Sequence, residues 1–200
     1  MFIALEGGDG AGKSTQLPLL QEWFEKQGKT VTICREPGST PLGEKVRDLL
    51  LFQRGLEICR MSELLLFMTA RAQVVRQVIR PALERDEVVL ADRFLLSSIV
   101  YQGYGGELEV EEIRKIGQIA TGGTLPELNI ILDLPLTYAK MRRKGEPDRL
   151  ESEADAFHDR VRNGFLTEAR LFPEKNVVVS AEDSVERIHA EICRAIQERL

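Results

Sequence analysis

The side chains best suited to chemistry in this chain belong to a short glycine-rich run that ends in a lysine and a serine. The run is Gly7-Gly8-Asp9-Gly10-Ala11-Gly12-Lys13-Ser14, followed by Thr15, and it satisfies the pattern G-x-x-x-x-G-K-[ST]. Its glycines let successive backbone N–H groups wrap an anionic phosphate. Lys13 can reach the β- and γ-phosphates, Ser14 can ligate Mg²⁺, and a helix beginning near Lys13 directs its dipole at the same charge. The run predicts a site for a nucleoside triphosphate, with a coincidental glycine-rich turn as the alternative.

Further charged groups directly follow apolar runs. Asp92 and Arg93 end one run, so both side chains should project into the crevice where ligands bind. Arg93 can neutralise a monophosphate through a bidentate fork, although an ordinary strand-end salt bridge would use the same residues. Glu36 follows another run, in Arg35-Glu36-Pro37-Gly38, where its carboxylate could hold Mg²⁺ through water.

Two helical stretches offer candidates for binding an acceptor. Phe67 and Arg71 are four positions apart and share a helix face, which suits a pocket for a flat base. From the residues alone, core packing of Phe67 among leucines and Met68 is the alternative. Arg47 lies in the stretch from Leu42 to Leu51 and could face a phosphate or, equally, solvent.

A basic cluster surrounds Gly145. It consists of Lys140, Arg142, Arg143, Lys144 and Arg149. Because this segment is polar, contains glycine and lies between two helical patterns, it suits a mobile lid at about residues 140–151. A solvated cationic helix end is the alternative.

The elements that must position these groups alternate along the chain. Short apolar runs rich in Val, Ile and Leu precede helical patterns, at 2–5, 31–34, 88–91, 130–132 and 177–179. Such runs, without polar alternation, are typical of parallel strands covered on both faces. We therefore expect a single domain over 1–200, a three-layer α/β/α P-loop NTPase fold with a five-stranded parallel sheet and a small lid.

Composition narrows the class of protein. Hydrophobic residues make up 43% and charged residues 30% of the 200 positions, which excludes a disordered chain. No apolar run approaches ~20 residues and the N-terminus does not resemble a signal peptide, so no membrane association is expected. The net charge of −5 disfavours a nucleic-acid partner. Three widely spaced cysteines suit reduced thiols in a cytoplasmic protein.

Nearly the whole chain resembles the thymidylate kinase family, in its bacterial type. The segments that carry the resemblance are Glu6 to Thr15, Arg35 to Gly43 with Arg47, Glu63 to Phe67 with Arg71, Asp92-Arg93-Phe94 with Ser97 and Ser98, Tyr101-Gln102-Gly103, and Gly145 to Glu151. One departure follows Tyr101-Gln102-Gly103: many bacterial members continue Gly-Gly-Arg, whereas this chain continues Tyr104-Gly105-Gly106-Glu107, with Gly106 in place of the arginine. The missing arginine puts one local contact in doubt.

The resemblance implies transfer of a phosphoryl group from ATP, with Mg²⁺, to dTMP. It places Arg93 on the dTMP phosphate, Asp92 near the metal, and Asp9 on the 3′-hydroxyl. It further implies that Phe67 stacks on thymine, that Arg71 bonds an exocyclic oxygen, and that Tyr101 lies against the sugar. Ser97, Ser98, Gln102, Glu36 and Arg47 complete the expected substrate site. Arg142 and Arg149 would supply lid charge to the transferring group, and the family implies a homodimer.

Two other functions remain open from the sequence. Another nucleoside or nucleotide kinase is the nearer alternative. A P-loop switch or regulatory ATPase is the second, although the sequence has neither an N-K-x-D motif nor an apolar strand ending in Asp-Glu. His158 and His189 are expected at the surface, outside any zinc site.

Overall fold

Five parallel strands form one sheet in the computed structural model, which describes residues 1–53, 55–142 and 148–199. The strands are β1 (Phe2–Gly7), β2 (Val31–Arg35), β3 (Val88–Asp92), β4 (Leu128–Asp133) and β5 (Asn176–Ser180), in the spatial order β2-β3-β1-β4-β5. Each predicted apolar run lies in a strand. The predicted parallel sheet is confirmed.

Helices connect successive strands. Their bounds are α1 (Lys13–Glu25), α2 (Pro41–Leu51), α3 (Arg60–Val74), α4 (Arg80–Glu84), α5 (Leu95–Ser98), α6 (Val110–Thr121), α7 (Leu136–Arg142), α8 (Asp155–Leu171) and α9 (Val185–Arg199). A π-helical turn at Val75–Ile79 joins α3 to α4, and a second at Ile99–Gly105 continues α5. Thr40 begins α2 with a side-chain cap, since its hydroxyl accepts a hydrogen bond from the Gly43 N–H at 2.9 Å.

Alternate strand residues feed two apolar layers. In β1, Ile3 and Leu5 pack with α1 and α9, whereas Phe2 and Ala4 pack with α3 and α6 on the opposite face. Because both faces are covered, every residue of β1 is buried and the strand shows no polar alternation. The three-layer α/β/α architecture follows from this double burial.

The carboxyl ends of the strands bring the predicted site residues to one edge. Asp92 is paired in register with Leu5 of β1 and with Arg35 of β2, and Gly7 is paired with Leu132 of β4. Open parallel sheets bind ligands at this edge. The central part of the expected lid, residues 143–147, lies outside the described residues. Within the described residues, no helix combines the length and hydrophobicity needed to cross a membrane.

Candidate functional site

The glycine-rich loop joins β1 to α1 in a backbone conformation that requires glycine. Gly10 and Gly12 have φ angles of +80° and +98°, which residues with side chains rarely adopt. A Cβ atom on Gly10 would also lie 2.9 Å from the carbonyl oxygen of Ala139 in α7. The loop is therefore packed closely against α7, which ends at Arg142.

Lys13 occupies the centre of this loop. Its Nζ donates to the carbonyl oxygens of Gly7 and Gly8 at 3.1 and 2.9 Å. Burial, reinforced by the positive charge of Arg93, lowers the pKa of Lys13 to about 8. An anion bound in the loop would compensate the buried ammonium, so the environment of Lys13 is suited to a phosphate.

A large cavity opens beside the loop. The phosphate cavity, as we name it, has a volume of about 570 Å³ and is lined by residues 9–15 of the loop and by Asp92, Arg93 and Arg142, among others. Its volume is in the range of small-molecule and cofactor sites. All the predicted nucleotide-binding residues line it except Gly7 and Gly8, whose carbonyl groups hold Lys13.

Two oxygen donors face the same cavity at the predicted metal position. Ser14 is the second residue of α1 and Asp92 is the last residue of β3, and both line this cavity. Hydroxyl, carboxylate, phosphate and water oxygens are the ligands that Mg²⁺ takes in nucleotide sites. This donor set therefore fits a magnesium ion bound together with a triphosphate.

Arg93 is held by a network of hydrogen bonds beside the loop. Its guanidinium donates to the Gly7 carbonyl at 2.8 Å, to the Ser97 hydroxyl at 3.1 Å and to Asp9 at 2.5 Å. It also donates to the Tyr101 hydroxyl, which in turn donates to Asp9 at 3.0 Å. Arg93 therefore does form a salt bridge, the alternative considered from the sequence, but its partner is Asp9 and the pair lies in the wall of the phosphate cavity.

Asp9 owes its ionised state to this network. Burial by itself would raise the pKa of Asp9, but the positive charges of Arg93 and Lys13 hold it below its ordinary value. A carboxylate inside a phosphate-binding loop is therefore stable here because two cations neutralise it.

A second pocket adjoins the phosphate cavity. Its lining includes the predicted acceptor residues Phe67, Arg71, Ser97, Ser98, Tyr101 and Gln102. Asp9, Glu36, Arg47 and Arg93 line both spaces. A group bound in one would therefore face a group bound in the other across these four side chains.

Arg71 is a deeply buried cation of the second pocket. It is 1% exposed and donates to Glu36 at 2.6 Å, to the Ser98 hydroxyl at 2.9 Å and to the Phe94 carbonyl at 3.0 Å. These bonds fix the plane of the guanidinium against the pocket wall. Phe67, four positions earlier on α3, is half-buried and lines the same pocket, so the predicted shared face is confirmed.

Glu36 is less fully satisfied than its partner. One carboxylate oxygen bonds Arg71, whereas Oε1 is buried and has no hydrogen-bond partner among the described residues. Burial raises the pKa of Glu36 to about 7, although Arg71 partly opposes the shift. The carboxyl group thus bonds Arg71 directly, a contact that was not among the roles predicted for Glu36, which were a water-mediated one at the metal and a place in the substrate site.

Glu6 is a supporting residue that the sequence reasoning did not select. It is fully buried at the end of β1, and its carboxylate accepts from the Phe94 N–H at 2.9 Å and from the Ser97 hydroxyl at 2.5 Å. These bonds fix the segment that carries Arg93 and Ser97. The signal was a lone acid within an apolar strand, since such a charge is tolerated only when bonded.

The predicted lid residues have different surroundings. Arg142 lines the phosphate cavity and donates to the Ala181 carbonyl at 2.9 Å. Arg149 instead donates to the Leu50 carbonyl at 2.8 Å and to Glu63, on the side of α2 and α3. The structure therefore places Arg142, but not the guanidinium of Arg149, in the wall of the phosphate cavity.

The prediction that His158 lies at the surface is wrong. It is 7% exposed, and it lines a small cavity behind Gly8 and Asp9. The helical pattern of α8 placed it among charged residues, but α8 packs Phe157 and Phe165 against Tyr101, and His158 lies edge-on to Phe157 in this packed region. His189 is partly exposed.

Comparisons with known proteins agree with this geometry. The family model described as thymidylate kinase matches residues 5–192. The thymidylate kinase of Deinococcus radiodurans is 46% identical over 201 residues, with 100% of this chain and 97% of the relative covered. That of Exiguobacterium sp. is 44% identical over 202 residues, with 100% and 95% covered.

A solved structure is similar over the same extent. The crystal structure of thymidylate kinase from Ehrlichia chaffeensis superposes with a TM-score of 0.81, at 31% sequence identity and with 98% of both chains covered. The matches in sequence and in structure span the loop, the sheet edge and both pockets. This chain belongs to the thymidylate kinase family.

Proposed function

We propose that this chain phosphorylates dTMP to dTDP with ATP as the donor, the reaction for which its family is named. The observation that carries the proposal is the meeting of two pockets at Asp9, Glu36, Arg47 and Arg93. Phosphoryl transfer needs a donor phosphate and an acceptor phosphate aligned in line, and little covalent chemistry from the protein. Adjoining pockets whose common wall carries two guanidinium groups, those of Arg47 and Arg93, meet that requirement.

The phosphate cavity would hold the ATP triphosphate. The backbone N–H groups of residues 8–14 and the Lys13 ammonium would bind its phosphates, and Ser14 and Asp92 would hold Mg²⁺. When bound, the ion neutralises charge on the phosphate oxygens. Arg142, at the end of α7, would add positive charge beside the transferring group.

The second pocket would hold the acceptor nucleotide. Arg93 and Arg47 would neutralise its phosphate, which is already an anion, so no general base is required. Phe67 offers a face for base stacking, and Arg71 has one N–H left beyond its bonds to Glu36, Ser98, Met68 and Phe94. Asp9 and Tyr101 would face the sugar, between base and phosphate.

We propose that the protein is a cytoplasmic homodimer, and that each chain is a single domain with a lid at about residues 140–151. Support for the dimer comes from α3 and α6, where Leu65 and Ile119 are 48% and 81% exposed. Exposed apolar side chains on packed helices favour association. Three free cysteines suit a reducing compartment. Light scattering of wild type and of Ile119→Glu tests the dimer, which the variant should weaken.

One assay tests the proposed reaction. Coupled detection of ADP release should be run with dTMP, dUMP, UMP, dCMP and AMP under identical conditions. We expect the highest kcat/KM for dTMP. If AMP or UMP matched dTMP, another nucleotide kinase would be the better assignment, and ADP release independent of any acceptor would favour a P-loop ATPase.

A further inference from the structure

A buried carboxylate lies behind the wall of the second pocket, outside every role assigned above. Glu63, in α3, has a fully buried side chain. Its Oε1 accepts a hydrogen bond from the Gln102 amide nitrogen at 2.8 Å, and its Oε2 forms a short ion pair with Arg149. Gln102 and Arg149 come from different parts of the chain, so Glu63 links two segments that are remote in sequence.

Arg149 is committed on the same side. Besides the ion pair with Glu63, its Nε donates to the Leu50 carbonyl at 2.8 Å, and its backbone N–H donates to the Leu51 carbonyl at 3.3 Å. One turn before Glu63, Arg60 pairs with Glu153 at 2.7 Å and also lies 3.6 Å from Glu63 Oε2. The segment 148–153, which includes the carboxyl-terminal end of the expected lid, is thus tied to the end of α2 and to α3.

Both linked segments contribute walls to the second pocket. Asp148 and Leu150, the residues directly before and after Arg149, line this pocket, and Gln102 lines it from the π-helical turn. Because a carboxylate only accepts hydrogen bonds, Glu63 also fixes which end of the Gln102 amide faces it: the NH₂ group. The amide oxygen is then turned away from Glu63.

We propose that Glu63 is a positioning residue that clasps the two walls of the acceptor pocket, and that Arg149 acts in this clasp and not on the transferring phosphoryl group. The proposal rests on the proposed function, which makes the second pocket the acceptor site. A buried carboxylate is costly unless it is paired and hydrogen-bonded. Among the described residues, Gln102 donates the hydrogen bond to Glu63 Oε1 and Arg149 donates the hydrogen bond to Oε2, while Arg60 lies farther from Oε2, at 3.6 Å. Loss of either hydrogen bond leaves a buried carboxylate oxygen without its donor, so ordering of the segment 148–153 is coupled to the shape of the acceptor pocket.

Kinetics of Glu63→Gln, Arg149→Gln and the double variant test the coupling. We expect each single variant to raise the KM for dTMP about tenfold while the KM for ATP changes less than about twofold. The double variant should show much less than the product of the two effects, since both substitutions break one clasp. Arg149→Lys keeps the charge and should recover part of the affinity for dTMP.

Glu168→Gln is the matched control. Glu168 is 1% exposed and pairs with Arg114 at 2.6 Å, as Glu63 pairs with Arg149, but it lines neither the second pocket nor the phosphate cavity. It should lower stability to a similar degree and leave the KM for dTMP unchanged. If Glu63→Gln does not fold, Arg149→Gln still tests the clasp, because Arg149 is partly exposed.

Amide hydrogen exchange gives a readout that needs no nucleotide. Exchange within residues 148–153 should be faster in Glu63→Gln and Arg149→Gln than in wild type, and unchanged in Glu168→Gln. Unchanged exchange, or a fall in kcat with an unaltered KM for dTMP, would overturn the proposal. The second result would favour the alternative that Arg149 acts on the transferring phosphoryl group. Should wild type fail to use dTMP, the proposed function fails, while the exchange data still decide whether the clasp exists.

Discussion

Burial of charge determines how individual side chains behave at this site. Asp9 stays ionised because Arg93 and Lys13 surround it, whereas the pKa of Glu36 rises to about 7 because burial outweighs the single cation Arg71. The same burial lowers the pKa of Lys13 to about 8. Such opposed shifts within one cavity are typical of functional sites.

Replacing Lys13 with alanine should abolish transfer without unfolding the protein. The ammonium acts on phosphate charge that the substrate brings, so its loss should reduce kcat by at least ~10²-fold, the scale for one strong transition-state donor. Steady-state kinetics measure the loss, with circular dichroism to verify folding. Lys29→Ala, at an exposed position, is the control. Turnover within a fewfold of wild type would contradict the role of the loop.

Tyr101 should govern preference for a deoxyribose. Its ring packs edge-on against Phe157 and Phe165 at centroid distances of 6.2 and 6.3 Å, which leaves it little freedom to move. A 2′-hydroxyl buried there without a partner costs roughly 1–3 kcal/mol, so Tyr101→Ala should reduce the preference for dUMP over UMP about 10- to 100-fold.

Tyr101→Phe separates the ring from the hydroxyl. This variant keeps the ring and should keep the preference for deoxyribose, but it removes the hydrogen bonds to Asp9 and Arg93. The comparison is kcat/KM for dUMP and UMP in the three proteins. An unchanged ratio in Tyr101→Ala would mean that another residue excludes the ribose.

Among the elements, α3 and α5 with its π-helical continuation contribute six residues to the lining of the second pocket. α3 presents Phe67 and Arg71, and α5 with its π-helical continuation presents Ser98 and Tyr101. Helix α6 supports α5 from behind. A Cβ atom on Gly117 of α6 would clash with the side chain of Leu95, the first residue of α5.

Gly117→Val should therefore act through α5. Overpacking against Leu95 is expected to cost about 1–3 kcal/mol of unfolding free energy. Because α5 would shift, the KM for dTMP should rise more than the KM for ATP. Gln118→Val, exposed on the same helix, should leave both unchanged. Denaturant titration and kinetics check the pair, and equal effects on the two KM values would argue against a local shift.

For the whole molecule, Glu36 should make stability depend on pH. Its folded pKa of about 7 exceeds the ordinary 4.5, so the native state binds more protons than the unfolded state between these values. The stability it contributes is full below about pH 4.5 and falls as pH rises to about 7, by up to about 3 kcal/mol.

Glu36→Gln isolates this contribution. The glutamine cannot ionise, so the unfolding free energy of wild type minus that of the variant should decrease from pH 4.5 to 7. Urea denaturation of both proteins across this range measures the difference. A constant difference would show that Glu36 is ionised throughout in the native state.

Local pattern determined the sheet, the loop and the family. The five apolar runs are rich in Val, Ile and Leu because each strand is covered on both faces, so that consecutive residues must be apolar. The glycines of the loop are likewise recorded locally, since Gly10 and Gly12 need positive φ angles. Such features depend on neighbours in sequence, and composition and spacing are enough to predict them.

Contacts between distant segments were decided only by the tertiary structure. Nothing near Glu63 in sequence indicates Gln102 or Arg149, which lie 39 and 86 positions away. Glu6 pairs with Ser97 across 91 positions, and His158 is buried where α8 packs against the π-helical turn at Ile99–Gly105. The basic neighbours of Arg149 predicted a lid residue that acts on the transferring phosphoryl group, yet its guanidinium bonds to groups of α2 and α3. A side chain's type is fixed by the sequence, but its partner is fixed by which elements the fold brings together.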